Sequence, residues 1–110
     1  AAMAQTLRRL LTGQVLAPTS REQLIAWLVG ATTGMARLRA GLPKDWRTGD
    51  KTGTGANGAA NDVAITWPAG RAPIVMAVYL SGSSRPSSVL DATHAQAAGV
   101  VAEAFTGARR

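Results

Sequence analysis

Asp50-Lys51-Thr52-Gly53-Thr54-Gly55 is the stretch whose reading decides the fold of this chain. Trp46-Arg47-Thr48-Gly49 precedes it, a half-apolar run that suits a strand. Ala56-Asn57-Gly58 follows as a turn signal. Val63-Ala64-Ile65-Thr66-Trp67 then alternates as a half-buried strand does. Lys51-Thr52-Gly53 therefore falls at the end of one strand of a hairpin. There a point charge, a hydroxyl donor and a glycine-bared backbone edge can converge on one anionic ligand.

Beyond the hairpin, Pro68-Ala69-Gly70-Arg71-Ala72-Pro73 reads as a turn. Ile74 to Leu80 is apolar without alternation, which suits a strand covered on both faces. Ser81 to Ser88 is a loop containing Pro86. A last helix over 88–106 carries Leu90, His94, Ala98, Val101 and Phe105 on one stripe, with Gly107 as its stop. Ahead of the hairpin, Met35 to Ala40 is a short helical segment closed by Gly41-Leu42-Pro43. Ala31-Thr32-Thr33-Gly34 is a polar linker.

Before that linker, Thr19 and Glu22 form a capping box, and Leu24, Ile25, Trp27 and Leu28 make the apolar face of a helix that Gly30 ends. Pro18 breaks the connection into it. Met3, Leu7, Leu10 and Leu11 recur at helical spacing, so an amphipathic helix is expected over 2–12 with Gly13 as its stop. Ala1-Ala2-Met3 reads as the inside of a helix already under way. The expected elements are helices at 2–12, 20–29, 35–40 and 88–106 and strands at 46–52, 62–67 and 74–80. They make an α/β fold (an α+β sandwich) with helices packed on an antiparallel sheet. The apolar stripes outnumber what a three-stranded sheet can cover, which marks the chain as one part of a larger fold.

The chain has 110 residues, enough for one small domain, and is 46% hydrophobic and 16% charged, a globular composition. With no cysteine there is no disulfide framework or thiolate metal site, and a lone His94 makes no histidine cluster. No apolar run approaches the roughly 20 residues of a membrane-spanning helix, and no signal-peptide pattern opens the chain. The net charge of +6 raises the question of nucleic acid. Yet Arg8, Arg9, Arg21, Arg37, Arg39, Lys44, Arg47, Lys51, Arg71, Arg85, Arg109 and Arg110 are scattered, as on a solvated basic surface. Neither nucleic acid nor a membrane is expected as a partner, and no cofactor or metal.

The hairpin motif with Trp46 before it and Asn61-Asp62-Val63-Ala64 after it resembles the Lys-Thr-Gly strand region of class A serine beta-lactamases. Thr32-Thr33-Gly34, Arg39-Ala40-Gly41-Leu42-Pro43 and Trp67-Pro68 through Ala72-Pro73-Ile74-Val75 resemble the C-terminal third of that family in the same order. The resemblance covers essentially the whole chain, residues 1–110. It implies a part of a beta-lactam hydrolase that works through a serine acyl-enzyme, secreted or periplasmic in a bacterium. The chain contains no Ser-x-x-Lys and no Ser-Asp-Asn. The nucleophile is therefore expected on an N-terminal part of the same enzyme, and the chain alone is expected to be inactive, because nucleophilic catalysis needs a nucleophile and a base in reach.

By this resemblance Lys51 supplies positive field near the nucleophile and the substrate carboxylate. Thr52 donates its hydroxyl to that carboxylate, and Gly53 leaves the strand edge open. The Thr54 backbone N–H is one of two oxyanion-hole donors, worth roughly 3–4 kcal/mol in the transition state. The Thr54 hydroxyl also reaches the carboxylate, and Thr33 borders the same subsite. Many members of the family carry an arginine on the strand after Lys-Thr-Gly, where this chain has Ala60. Others carry it on the short helix before, where this chain has Arg37, with Asp91 matching the polar residue that orients it. Two residues apart on a helix, Arg37 and Arg39 point to different faces, so only one enters the cleft.

Plainer readings stand beside these. Asp50 reads as a solvated strand-edge charge, Asp62 as a buttress of the strand, and Thr33 as a helix cap. His94 reads as a packed histidine without a role, and Trp27, Trp46 and Trp67 as core. A penicillin-binding DD-peptidase shares the Lys-Thr-Gly wall, and an inert structural fragment is a further alternative. Asp50-Lys51-Thr52-Gly53-Thr54 also matches the phosphorylated-aspartate motif of P-type ATPases. Gly55-Ala56 departs from that family's next residues, its hinge motif lies far away rather than at Gly58-Ala59-Ala60-Asn61-Asp62, and no transmembrane helix is present. A P-loop fails because Asp50, not Gly, precedes Lys51.

Overall fold

The computed structural model describes residues 2–107; Ala1, read as the inside of a helix already under way, and the basic pair Arg109 and Arg110 lie outside them. Four helices and three strands follow in the order α1 (Ala2–Thr12), α2 (Pro18–Gly30), α3 (Leu38–Gly41), β1 (Arg47–Thr54), β2 (Ala60–Trp67), β3 (Ile74–Leu80) and α4 (Ser87–Thr106). The strands form one antiparallel sheet in chain order, with β2 at its centre. β1 runs two residues beyond the expected end, so Gly53 and Thr54 are strand residues facing Asn61 and Ala60.

Strand alternation builds two cores from the one sheet. Ile65 packs with Leu7, Leu11 and Leu28 under α1 and α2, joined at the margin by Val63, Trp67 and Val75. Ala64, Ile74 and Met76 face the other way and pack with Leu38, Leu42, Ala98 and Ala102 from the α3 region and α4. β3 thus feeds both cores, as its unbroken apolar run requires. At the exposed end Tyr79 stands in water, so the double cover stops short of the strand's end.

Turn chemistry sets the hairpin. Asn57 and Gly58 both take left-handed backbone, at φ 61° and 69°, in the turn closed by Ala59 N–H on the Ala56 carbonyl. That is the conformation an Asn-Gly pair favours between antiparallel strands. Gly107 closes α4 at φ 66°, its N–H on the Glu103 carbonyl at 3.1 Å.

Four expectations need correction. Pro18 does not interrupt the chain before α2 but opens the helix as its first residue, where a missing N–H costs nothing. With the start moved there, no side chain caps α2, and the Thr19–Glu22 box does not form. Trp27 is 68% exposed rather than core, because the buried stripe of α2 centres on Leu28 and its Leu24 and Ile25 flanks. Phe105 is also exposed, since Ala102 takes the inward position on the last turns of α4; the ring instead carries the Arg71 guanidinium at 4.7 Å.

Candidate active site

The segment 33–41 crosses the end of the sheet and lays two arginines against it in opposite directions. Arg37 is almost fully buried. Its Nε donates to Asp91 Oδ1 at 2.8 Å, one terminal nitrogen to the Asn61 carbonyl at 2.9 Å, and the other to Thr54 Oγ1 at 2.9 Å. The planar fork thus ties the start of α4 to both strands of the hairpin. Three of its five N–H groups are spent, and two remain for another acceptor.

Arg39 turns the other way. Its Nε donates to Asp50 Oδ1 at 2.6 Å, and a terminal nitrogen donates to the carbonyls of Leu28 and Val29 at the end of α2. Asp50 is therefore not a solvated strand-edge charge: it is 1% exposed and paired. A period-two count along β1 explains this, because Thr48 and Asp50 share the inward face, and Thr48 Oγ1 meets Thr66 Oγ1 at 2.7 Å. Asp62 is fully buried and accepts the Leu38 backbone N–H at 3.1 Å. His94 is fully buried as well, its Nε2 donating to the Ala60 carbonyl at 2.9 Å.

The outer edge of β1 is left unpaired, and polar groups gather along it. Thr33 Oγ1 and Thr52 Oγ1 are hydrogen-bonded at 3.0 Å, which brings the 33–37 turn against the strand. Lys51 is exposed, and its Nζ donates to the Thr52 carbonyl at 2.7 Å. Thr52 and Thr54 are separated by Gly53, whose Cβ position meets nothing within 4 Å, so the edge there is open. Lys51, Thr52, Gly53, Thr54, Thr33, Arg37 and, behind Arg37, Asp91 therefore belong to one cluster. It offers two cations and three hydroxyls and no exposed carboxylate besides the partly exposed Asp91 that Arg37 engages.

Such a surface suits a carboxylate, which a guanidinium and hydroxyl donors can bind with charge-assisted hydrogen bonds. Among the described residues no group of three or more His, Cys, Asp or Glu could hold a metal ion. Two contributors escaped the sequence reading, Asn61 through its carbonyl and Arg39 as the partner of Asp50, while Asp62, read as a buttress, holds the Leu38 N–H. The two aspartates carried a usable signal, since both fall at inward positions of their strands. Asn61 carried none, because a backbone carbonyl leaves no mark on residue identity.

A cleft of about 260 Å³ lined by Met35, Arg39, Pro43, Lys44, Trp46 and Thr48 lies beside the Arg39–Asp50 pair. It includes none of the candidate residues, which lie on the open strand edge.

Residues 1–105 match the model of the beta-lactamase enzyme family. Beta-lactamase AST-1 of Nocardia asteroides is 52% identical over 105 residues, which are 96% of this chain and 34% of that protein. Beta-lactamase CTX-M-6 of Salmonella typhimurium is 47% identical over 104 residues, 94% of this chain and 36% of that protein. The solved structure of an ancestral (GNCA) class A beta-lactamase superposes with a TM-score of 0.93 at 58% identity, covering 96% of this chain and 40% of the other. The chain thus spans about a third of the length of these curated relatives. Its helices packed on an antiparallel sheet match that family's structures over the covered length, and the chain belongs to the class A beta-lactamases.

Proposed function

We propose that this chain supplies one wall of the active site of a beta-lactam hydrolase, the remainder of which, including the serine nucleophile, lies on an N-terminal part of the same enzyme. The observation that carries the reading is the convergence of Arg37, Thr52, Thr54 and Lys51 on one open strand edge. Beta-lactam antibiotics bear a carboxylate next to the reacting amide, and this edge is built to hold one. Large apolar side chains left in water at Trp27 and Met35 support a further protein surface against this chain. A secreted or periplasmic setting fits an enzyme of antibiotic resistance.

In this reading Lys51 and the two free N–H groups of Arg37 supply the field that draws in the carboxylate. Thr52 and Thr54 fix its orientation with their hydroxyls, and Thr33 holds Thr52 in place. The scissile carbonyl then lies against the edge of β1, where the Thr54 N–H takes part of the charge that develops as the serine attacks. Uniform binding of the carboxylate lowers KM, whereas the amide donor acts on the transition state and raises kcat. Asp91 keeps the guanidinium planar against Thr54 and the Asn61 carbonyl, so it positions the fork without touching substrate.

Arg37→Ala in the complete enzyme is expected to lower kcat/KM for penicillins at least tenfold, or about 1.4 kcal/mol. Arg37→Lys should recover only part of that, since a point charge cannot keep three fixed contacts and still serve a carboxylate. Steady-state kinetics with a penicillin decide the point, and a loss of no more than about twofold would remove Arg37 from the substrate site.

A further inference from the structure

Asp50 and Asp62 are diagonal neighbours on the inward face of the sheet: Asp50 stands opposite Ala64, two residues beyond Asp62. They are 1% and 0% exposed. One oxygen of each has a donor, Arg39 Nε for Asp50 Oδ1 and the Leu38 N–H for Asp62 Oδ2. The other two, Asp50 Oδ2 and Asp62 Oδ1, are buried and meet no N–H or O–H donor among the described residues. Diagonal neighbours on one face of a sheet lie at a spacing across which side chains still meet. Ionised, they would repel and leave two buried acceptors empty, at a cost few native structures carry.

We propose that Asp50 and Asp62 share a single proton, and that this bridge clamps the 34–41 segment across β1 and β2 and so positions Arg37 and Lys51 for the substrate. The positioning half rests on the beta-lactam reading above; the proton bridge does not.

The proton belongs to Asp62. Asp50 faces the Arg39 guanidinium, whereas Asp62 has only a backbone N–H. Burial, the hydrogen bond to Asp50 and the Asp50 charge raise the Asp62 carboxyl from 3.8 to about 8, against the weaker opposing pull of the Leu38 N–H and Arg37. The charged or titratable groups around the pair are Arg37 and Arg39 from the 34–41 segment, Lys51 next to Asp50 on β1, and Asp91 and His94 from α4. α2 contributes only the carbonyls that Arg39 holds, and β3 has no charged residue.

The bonded row therefore runs from the Arg39 guanidinium to the Asp50 carboxylate, which accepts the Asp62 O–H, while Asp62 Oδ2 accepts the Leu38 N–H. One end is adjacent to Lys51 and the other to Arg37. Gly34 lies against Asp50: a Cβ there would overlap Asp50 Oδ2, so the backbone of the segment rests directly on that carboxyl.

An acid held above its ordinary value is protonated in the fold while it is ionised in the unfolded chain. Its contribution is full below about pH 4 and is lost as the pH rises to about 8. Infrared spectra of the complete enzyme, without substrate, should show a protonated-carboxyl C=O band at neutral pH that fades through about pH 8 and is missing from Asp62→Asn. No such band in the parent enzyme at neutral pH would overturn the bridge, whether or not the variant folds.

In Asp62→Asn an amide N–H replaces the shared proton permanently. Its urea midpoint should therefore lose the decline between about pH 4 and pH 8 that the parent shows; an equal decline in both would also refute the bridge. Positioning is read in the complete enzyme, where KM for a penicillin should rise through about pH 8 with kcat held, and should not do so in Asp62→Asn. A bridge seen by infrared with KM flat in the parent would refute the positioning role and leave the proton in place, and it would not touch the substrate reading.

Discussion

Lys51→Ala in the complete enzyme is expected to slow acylation by penicillins roughly a hundredfold, the scale on which removing one partner of a charged contact acts. The reason lies at the outer edge of β1. There Lys51 is the one side chain of the strand that carries positive charge beyond Arg47, and Arg47 is engaged with the Trp67 ring at 4.8 Å. Its Nζ is held near the strand by the Thr52 carbonyl rather than by a carboxylate, so no counter-charge is neutralised before substrate arrives. The effect should fall on the rate of acyl-enzyme formation and weaken as salt is added, because an exposed cation acts through a screened field. An unchanged single-turnover acylation rate would take Lys51 out of the site.

Arg39→Ala should cost about 3–5 kcal/mol of folding stability, the usual penalty for leaving a buried charge without its partner. Asp50 has no exposed side-chain surface, and Arg39 is its only ionic partner among the described residues. The substitution also removes a donor from the Leu28 and Val29 carbonyls, of which Leu28 keeps the Ala31 N–H at 3.3 Å. Arg39→Met, which keeps most of the volume, should be nearly as damaging, and pairing either with Asp50→Asn should recover part of the loss. Urea unfolding gives the answer directly. A midpoint shift worth less than about 0.5 kcal/mol would mean that the pair contributes nothing beyond surface charge.

These two results turn on residues that the sequence treated very differently. Lys51 stood out as a candidate, because its neighbours Thr52 and Gly53 and the Asn57-Gly58 turn mark a hairpin strand, although β1 runs on to Thr54. Arg39 and Asp50 did not. Each is a common surface residue, and their burial follows from an element with little signal of its own, the four-residue α3. The side chains of Arg37 and Arg39 diverge as expected, but not from one helical turn: the helix expected over 35–40 spans only Leu38–Gly41, and Arg37 stands just ahead of it at φ −98° and ψ −127°. Which carbonyls and carboxylates they would meet was not readable, because those partners come from α2, β2 and α4 and become neighbours only when the sheet is assembled.

The helices show the same division. Gly107 could be read as a stop because the left-handed position favours one residue type. The start of α2 could not be read reliably, since Pro18 serves equally as a breaker and as a first helical residue, and Thr19-x-x-Glu22 imitated a cap two residues too late. Trp27 was misplaced because apolar residues crowd α2 on more than one side, so periodicity alone does not say which side meets the sheet.

The central proposal is that this chain supplies the carboxylate and oxyanion wall of a site whose nucleophile and base lie on another part of the enzyme. Mixing the 110-residue chain with a separately produced N-terminal part that carries the Ser-x-x-Lys helix, and following a chromogenic cephalosporin, tests it most directly. Each part alone should be inert, the mixture should hydrolyse the substrate, and the same mixture made with Lys51→Ala should be severely impaired. Turnover by the 110-residue chain on its own, or a mixture whose activity ignores Lys51→Ala, would contradict the account.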